Sequence, residues 1–432
     1  MVGVLTAVDA QEDGRSVRRR VIAAGVVGNI LEWYDFALFG VLAPIIAAKF
    51  FPSSDPLAGL ISSYTVFAIG FLARPLGGII FGHIGDRFGR RQALVLSVVL
   101  MALPTAAMGL LPTYEQVGIF APVLLTLLRI VQGISTGGEF AGSIIFLVEQ
   151  APDERRGIYG SVANFGSMIG GLLGAAVGWL MAEILTPEAM QHWGWRVLFM
   201  TGILVGFFGL WARIGVPDTP VFAELAACEG LQERPLRTAF QRERREMLIA
   251  MGLNWSASVG YYVVFVWFIA NVNEIIGLPY QTALGVGTFG LVVGLLATLA
   301  IGHLSDFLGP RRMLVIGSLA TVLFAIPLLL LAAVGTLAAV TLAQFGLAIL
   351  AAVFLGTLPA VFVSLHGPAL RCTALSVSYN MALALFGGTA PLIATLLVKL
   401  TGWPGAPGLY LVLTALVCLM LVRFVPQPPA RA

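Results

Sequence analysis

Apolar stretches of about 20 residues or more recur along the whole chain, parted by short polar segments that carry most of its arginines. Each is long enough to cross a hydrocarbon core about 30 Å thick at a helical rise of about 1.5 Å per residue. Twelve such runs occur, near 21–47, 58–82, 92–112, 119–147, 157–182, 196–215, 248–276, 282–304, 312–333, 337–364, 371–398 and 408–425. Strands of a membrane barrel would alternate polar and apolar residues, whereas these runs are continuously apolar. The pattern therefore predicts an all-α polytopic membrane protein with twelve transmembrane helices. The first run is too long for the apolar region of a signal peptide, holds Glu32 and Asp35, and leads into further spans; it is expected to be retained as the first helix.

The longest polar stretch, 216–247, holds Pro217, Pro220 and Pro235 and falls between runs six and seven. It predicts two six-helix bundles, at 21–215 and 248–425, joined by a cytoplasmic linker, with cytoplasmic tails at 1–20 and 426–432. A repeat supports this division. GHIGDRFGRR begins at Gly82 after run two and GHLSDFLGPRR at Gly302 after run eight, so that Asp86 and Asp306 stand 220 residues apart. Parallel repetition of two halves is an architecture of secondary carriers, whose substrate site lies between the halves near the midplane. In each copy a glycine allows close helix approach, an aspartate can cap or pair at a helix end, and the arginines can bond carboxylates or helix C-terminal carbonyls. Asp86, Arg87, Arg90 and Arg91, with Asp306, Arg311 and Arg312, are accordingly candidate gating residues in the loops after runs two and eight. The alternative is that they are only topogenic charges on tight turns. The second copy has Phe307 in place of Arg87 and Pro310 in place of Arg90, which predicts a weaker latch. His83 and His303 occupy equivalent positions, which favours a turn role over catalysis.

Composition agrees with the pattern: 58% of the 432 residues are hydrophobic and 11% charged, mean hydropathy is +0.93, and soluble domains carry about 25% charged residues. The net charge of +3 is more informative by position. With both termini inside, twenty Lys and Arg fall in cytoplasmic segments against Lys49, Arg196 and Lys399 outside, while Arg74 and Arg129 complete the 25 from within the membrane. The basic Arg234 to Arg245 stretch is then a topogenic, lipid-facing loop rather than a nucleic-acid patch. Cys228, Cys372 and Cys418 are scattered and odd in number, and form neither a metal cluster nor a disulfide framework. Trp179, Trp193, Trp195 and Trp403 are expected at membrane interfaces.

Ionisable side chains at midplane depth cost at least about 2.5 to 3.5 kcal/mol each, so those present are functional candidates. Run one offers Asn29, Glu32 and Asp35, run two Arg74, and run four Arg129 and Glu139. Their depths overlap, as a proton-exchanging carboxylate beside a guanidinium requires. The structural alternative is that Arg74 pairs Glu139 or Asp35 only to hold helices together. Arg129 and Glu139 lie ten residues apart, about 15 Å along a helix, too far to pair with each other. The C-terminal helices carry neutral polar groups instead; Asn254, Tyr261, Tyr262, Tyr379 and Asn380, with Tyr34 in run one, are substrate-selectivity candidates. Glycines 133, 137, 138 and 142 in run four, and 166, 170, 171, 174 and 178 in run five, form small-residue stripes that permit close, sliding helix contacts.

The motif GHIGDRFGRR resembles the loop signature of the major facilitator superfamily, and the resemblance covers essentially the whole chain. GNILEWYDFALFG, FLARPLGG, RIVQGISTGGEFAGS, PDERRGIYGS and WGWRVLF are similar to the metabolite:proton symporter branch, which contains the proline/betaine, α-ketoglutarate, shikimate and citrate carriers. NFGSMIGGLLGAAVG in run five is closer to the proline/betaine carriers, although Asn164 stands where they have an acid. SYNMALALFGGTAPLIATLL in run eleven is shared more loosely. The resemblance implies proton symport into a bacterial cell across its inner membrane, with Glu32, Asp35, Arg74, Arg129 and Glu139 matching the intramembrane charges of the branch. The chain stops a few residues beyond Pro426, short of the coiled-coil tail of the proline/betaine carriers, so osmotic activation is not expected.

No GxxxxGK[ST] loop, HExxH or Cys/His cluster is present, so the expectation is a nucleotide-free carrier rather than a pump or membrane enzyme, with no cofactor and no metal. Its expected partners are a small-molecule substrate, protons and membrane lipid, with the monomer as functional unit and no nucleic acid. Two buried arginines suit a carboxylate, and Trp33, Tyr34, Tyr261 and Tyr262 suit a quaternary ammonium through cation–π contact. A proline- or betaine-type zwitterion uses both features; a di- or tricarboxylate uses only the first. A non-transporting membrane sensor is the alternative of a different class.

Overall fold

The computed structural model describes residues 29–30, 32–78, 80, 90–137, 139–149, 151–213, 235–367 and 370–426. Twelve helical passages run through them, with no strand among the described residues. In the N-terminal half these are α1 (Glu32–Val41 with Ala43–Phe50), α2 (Leu57–Gly78), α3 (Arg90–Leu110), α4 (Phe120–Ser135 with Glu139–Glu149), α5 (Arg156–Ile184) and α6 (Trp195–Met200 with Gly202–Arg213). The C-terminal half has α7 (Arg244–Glu274), α8 (Tyr280–Leu308), α9 (Pro310–Ala332), α10 (Leu337–Leu365), α11 (Thr373–Thr401) and α12 (Ala406–Phe424). Eight of these, α2, α5 and α7 to α12, are long and apolar enough to span a membrane as single helices, and α1 joins them as a bent pair. Of the remaining three, α4 and α6 are each built from two shorter helices, and the apolar part of α3, Val98–Leu110, is shorter than a full span.

Local sequence explains the starts and the breaks. Asp55 caps α2 by accepting from the Leu57 amide at 3.0 Å, and Pro56 opens the helix where no backbone donor is needed. Gly309, at φ 83°, makes the turn between α8 and α9, a conformation that side chains disfavour. The 61° bend of α1 falls just before Pro44, whose ring removes one donor and crowds the preceding turn. Two π turns, Val263–Trp267 in α7 and Leu383–Gly387 in α11, widen the helices of the C-terminal half that flank the molecular centre.

Within the N-terminal half, α3 packs on α4 and α6, and α2 packs on α4. The α2–α4 contact is backbone on backbone: a Cβ on Gly77 would fall 1.8 Å from the Ile134 carbonyl oxygen, and one on Gly133 the same distance from that of Gly70. A Cβ on Gly170 in α5 would meet the Ile30 carbonyl oxygen at 2.2 Å. The glycine stripes thus seat helices inside the N-terminal half more than they offer sliding surfaces. Between the halves, α5 lies along α8 and α10, while α2 and the end of α4 meet α11.

The halves touch at both ends. On the face bearing Arg311 and Arg423, Asp306 accepts from the Gly157 and Ile158 amides, at 2.6 and 3.0 Å, at the start of α5. On the opposite face Lys399 Nζ meets Asp55 Oδ2 at 2.5 Å, and the Tyr280 hydroxyl donates to the Val41 carbonyl. A vestibule of about 540 Å³ indents that second face, and the space at the centre shrinks to about 20 Å³. The central space among the described residues therefore holds about one water.

Four expectations change. The second repeat is not a loop, because α8 continues to Leu308 and carries Gly302, His303, Ser305 and Asp306 in its last turns. The polar stretch before the second half contains a helix, Pro235–Arg242, and α7 begins at Arg244. Run four is broken between Ser135 and Glu139. Trp195 is buried against Phe50 and Phe199 instead of lying at an interface, because the α6 backbone turns it inward.

Candidate functional site

Glu32 and Asp35 lie three residues apart on α1, one helical turn, and each receives a different arginine. Arg74 on α2 places Nη2 2.5 Å from Glu32 Oε1. Arg129 on α4 places Nη1 3.8 Å from Asp35 Oδ2. Both guanidiniums are 1% exposed. Phe36, next to Asp35 on α1, has its ring 5.3 Å from the Arg74 guanidinium and 5.2 Å from that of Arg129. The structural alternative named Asp35 or Glu139 as the partner of Arg74; the described contact is to Glu32.

Each pair has its own supporting shell. Gln132 accepts from Arg129 Nη1 at 2.6 Å and donates to Asp35 Oδ2 at 2.6 Å, and the Thr105 hydroxyl donates to Asp35 Oδ1. Those contacts stay within the N-terminal half. The other pair crosses between the halves: Arg74 Nε donates to Asn380 Oδ1 at 3.3 Å, and Asn380 Nδ2 donates to the Gly137 carbonyl at 2.9 Å. Such bonds are what make a buried ion pair tolerable, because the desolvation cost of two charges exceeds the return from a bare contact. Gln132, Thr105 and Phe36 were missed in the sequence; the spacing of Gln132 one turn after Arg129 was the only signal.

The other candidates divide. Asn29 donates to the Ala163 carbonyl at 3.3 Å, tying α1 to α5. The Tyr34 hydroxyl sits 2.5 Å from Thr201 Oγ1 on α6, so Tyr34 joins helices of one half and does not line the central cavity. Arg311 donates to the Val425 and Arg423 carbonyls at 2.5 and 2.8 Å, fastening α9 to the end of α12, while Arg312 is exposed. Asp86 and Arg87 lie outside the described residues, as do the side chains of Glu139, Arg90 and Arg91.

The central cavity is framed by α1, α4 and α5 from one half and α7, α10 and α11 from the other. Tyr261, Tyr262, Asn254 and Tyr379 all line it. Trp33 meets Tyr261 edge-on at 5.0 Å and stacks on Tyr262 at 6.2 Å, while Phe140 lies 4.8 Å from Tyr379. None of its described lining residues is charged, and neither Arg74 nor Arg129 reaches it. Each of those arginines is instead engaged by its own acid in this conformation.

Two helical bundles enclosing an intramembrane cavity, closed by contacts at either face, with acid–base pairs beside it, define the class of membrane carriers built from two parallel halves. The family model of the Major Facilitator Superfamily matches residues 25–378 and 279–432, and the chain belongs to that superfamily. Among relatives, the glycine betaine/proline/ectoine/pipecolic acid transporter OusA of Dickeya dadantii is 32% identical over 430 residues, covering 96% of this chain and 84% of its own. The proline/betaine transporter of Salmonella typhimurium is 33% identical over 431 residues, covering 97% and 84%. Among solved structures, a partially occluded inward-open form of the xylose transporter XylE from E. coli superposes with a TM-score of 0.76 over 96% of this chain and 100% of that one. At 18% identity that likeness is one of fold.

Proposed function

We propose that the protein is a proton symporter that carries a small zwitterion of the proline/betaine type by alternating access. The observation that carries this reading is the central cavity, lined by aromatic rings and neutral polar groups and by no charged side chain among its described residues. A net-neutral solute with a cationic nitrogen suits such walls; a di- or tricarboxylate would bring two or more charges with no cation to meet them. The relatives' names point the same way, since proline, betaine, ectoine and pipecolic acid each join one carboxylate to one cationic nitrogen.

The Glu32–Arg74 pair is the coupling element that this geometry favours, because Arg74 also holds Asn380 of the other half. A proton on Glu32 removes the charge that fixes Arg74, and the hold on Asn380 loosens with it. Asp35 and Arg129, closed within one half, keep the N-terminal bundle ordered and supply a second acid. Glu139 stays a candidate for the same coupling role. Asp306 of α8, bonded to the start of α5, forms the latch of one face and Lys399 with Asp55 that of the other. The arginine-rich face is the cytoplasmic one, by the rule that basic residues stay inside, so both termini are cytoplasmic and the membrane is the bacterial inner membrane. The monomer is the working unit, and the chain is a carrier without enzymatic chemistry.

Uptake of labelled proline and betaine into proteoliposomes under an imposed proton gradient tests this. Accumulation with alkalinisation outside is expected, and Glu32→Gln should abolish accumulation while sparing exchange. Uptake indifferent to the gradient sinks symport, and inhibition by dicarboxylates alone sinks the zwitterion.

A further inference from the structure

Five side chains that line the central cavity carry a buried polar group without a hydrogen-bond partner: Trp33 Nε1, Ser167 Oγ, Asn254 Nδ2, Ser258 Oγ and the Tyr262 hydroxyl. Every one belongs to a side chain no more than 5% exposed. Buried donors are ordinarily satisfied, so five around one small space call for a ligand that accepts hydrogen bonds. Three of the five form a single stripe, since Asn254, Ser258 and Tyr262 recur every fourth residue on α7. Ser167 joins them from α5, in the other half, where its neighbour Asn164 is already engaged with the Leu355 carbonyl at 2.7 Å. All five offer N–H or O–H groups, and a carboxylate, with about four lone-pair directions, is the acceptor that uses several donors at once.

We infer that Asn254 and Ser258 on α7, with Ser167 on α5, bind the carboxylate of the substrate, and that its cationic nitrogen rests against the rings of Trp33, Tyr261 and Tyr379. This rests on the zwitterion reading above and deepens it. Arg74 and Arg129 take no part in holding the carboxylate; each is engaged by its own acid and neither lines the cavity. Neutral donors give this arrangement its selectivity: they satisfy one carboxylate whose charge is balanced within the solute, and offer no countercharge for a second. The carboxylate also bridges α5 and α7, so binding it draws the two halves together.

The test compares labelled betaine with choline, a quaternary ammonium without a carboxylate, as competitors for uptake by proteoliposomes. Ser258→Ala and Asn254→Ala should each raise the half-saturating betaine concentration about tenfold or more, the worth of a hydrogen bond to a charged group. Ser258→Thr, which keeps the hydroxyl, should stay near the wild type, and competition by choline should be unchanged in all three. Betaine half-saturation that stays at the wild-type value in both alanine variants overturns the inference, and so does equal weakening of choline. With normal wild-type uptake, either result removes only the carboxylate subsite. A wild type that takes up neither proline nor betaine removes the zwitterion reading, and the subsite with it.

Discussion

Asp306 is the place where one substitution should change which way the carrier faces. Its carboxylate accepts two amide hydrogens from the first turn of α5, at 2.6 and 3.0 Å, across the seam between the halves. Hydrogen bonds to a charged group contribute about 1.5 to 3 kcal/mol each, and a carboxylate at a helix N-terminus adds a few tenths more. The site is only half-buried, so the low end applies, and Asp306→Ala should cost the closed face about 2 to 3 kcal/mol. That shifts the ratio of closed to open conformers about 30- to 150-fold. The change can be read with a single cysteine at Ser167, in a chain whose Cys228, Cys372 and Cys418 are alanine, by the alkylation rate of a membrane-impermeant maleimide applied to the arginine-rich face. The rate should rise by up to the same factor. Gly157→Ala should act in the same direction, because its Cβ would fall 2.3 Å from Ser305 Oγ and 2.7 Å from Asp306 Oδ1. An Asp306→Ala rate equal to that of the parent would refute the latch.

Three further outcomes are expected. Gly133→Ala should destabilise the folded protein by about 3 kcal/mol, since its Cβ would lie 1.8 Å from the Gly70 carbonyl oxygen and neither backbone can yield; a wild-type melting temperature in detergent would contradict this. Lys399 holds the Asp55 carboxyl below the usual carboxylate range, chiefly by their hydrogen bond. The contact is therefore complete above about pH 4 and is lost as pH falls through the lowered value, and salt weakens it. Lys399→Gln should increase labelling of the Ser167 cysteine from the other face and remove its salt dependence; labelling that stays salt-dependent in the variant would argue against this gate. Burial pushes the His366 imidazole below its usual range, against the opposing pull of Glu243 and Glu246 and with the help of Arg371. The folded state then binds fewer protons than the unfolded one, so its stabilising contribution is full above about pH 6.5 and declines as pH falls. Glu243 accepts from the Gly367 amide and faces His366 Nδ1 at 2.8 Å, joining the start of α7 to the end of α10. His366→Gln should flatten the fall in melting temperature between pH 7 and 5, and an unaltered fall would show that other groups cause it.

Chain pattern by itself determined the membrane, the helical class, the number of passages and the division into halves. These follow from one-dimensional quantities: run length against bilayer thickness, and a motif repeated at a fixed offset. The buried charges were legible for the same reason, since an ionisable residue within an apolar run stands out whatever the fold. Their partners were not. Arg74 pairs Glu32 because α2 and α4 approach to backbone contact through Gly77 and Gly133, which sets the height of each guanidinium against α1. Tyr34 and Tyr261 are both aromatic residues within apolar runs, yet one faces Thr201 inside its own half and the other faces the cavity. The rotation of each helix about its axis made that choice, and packing against several neighbours at once fixes it. Hydrophobic pattern reports that rotation poorly when lipid and protein core are equally apolar. Only the tertiary structure, for that reason, brought Asn254, Ser258 and Ser167 around one space and kept the arginines out of it.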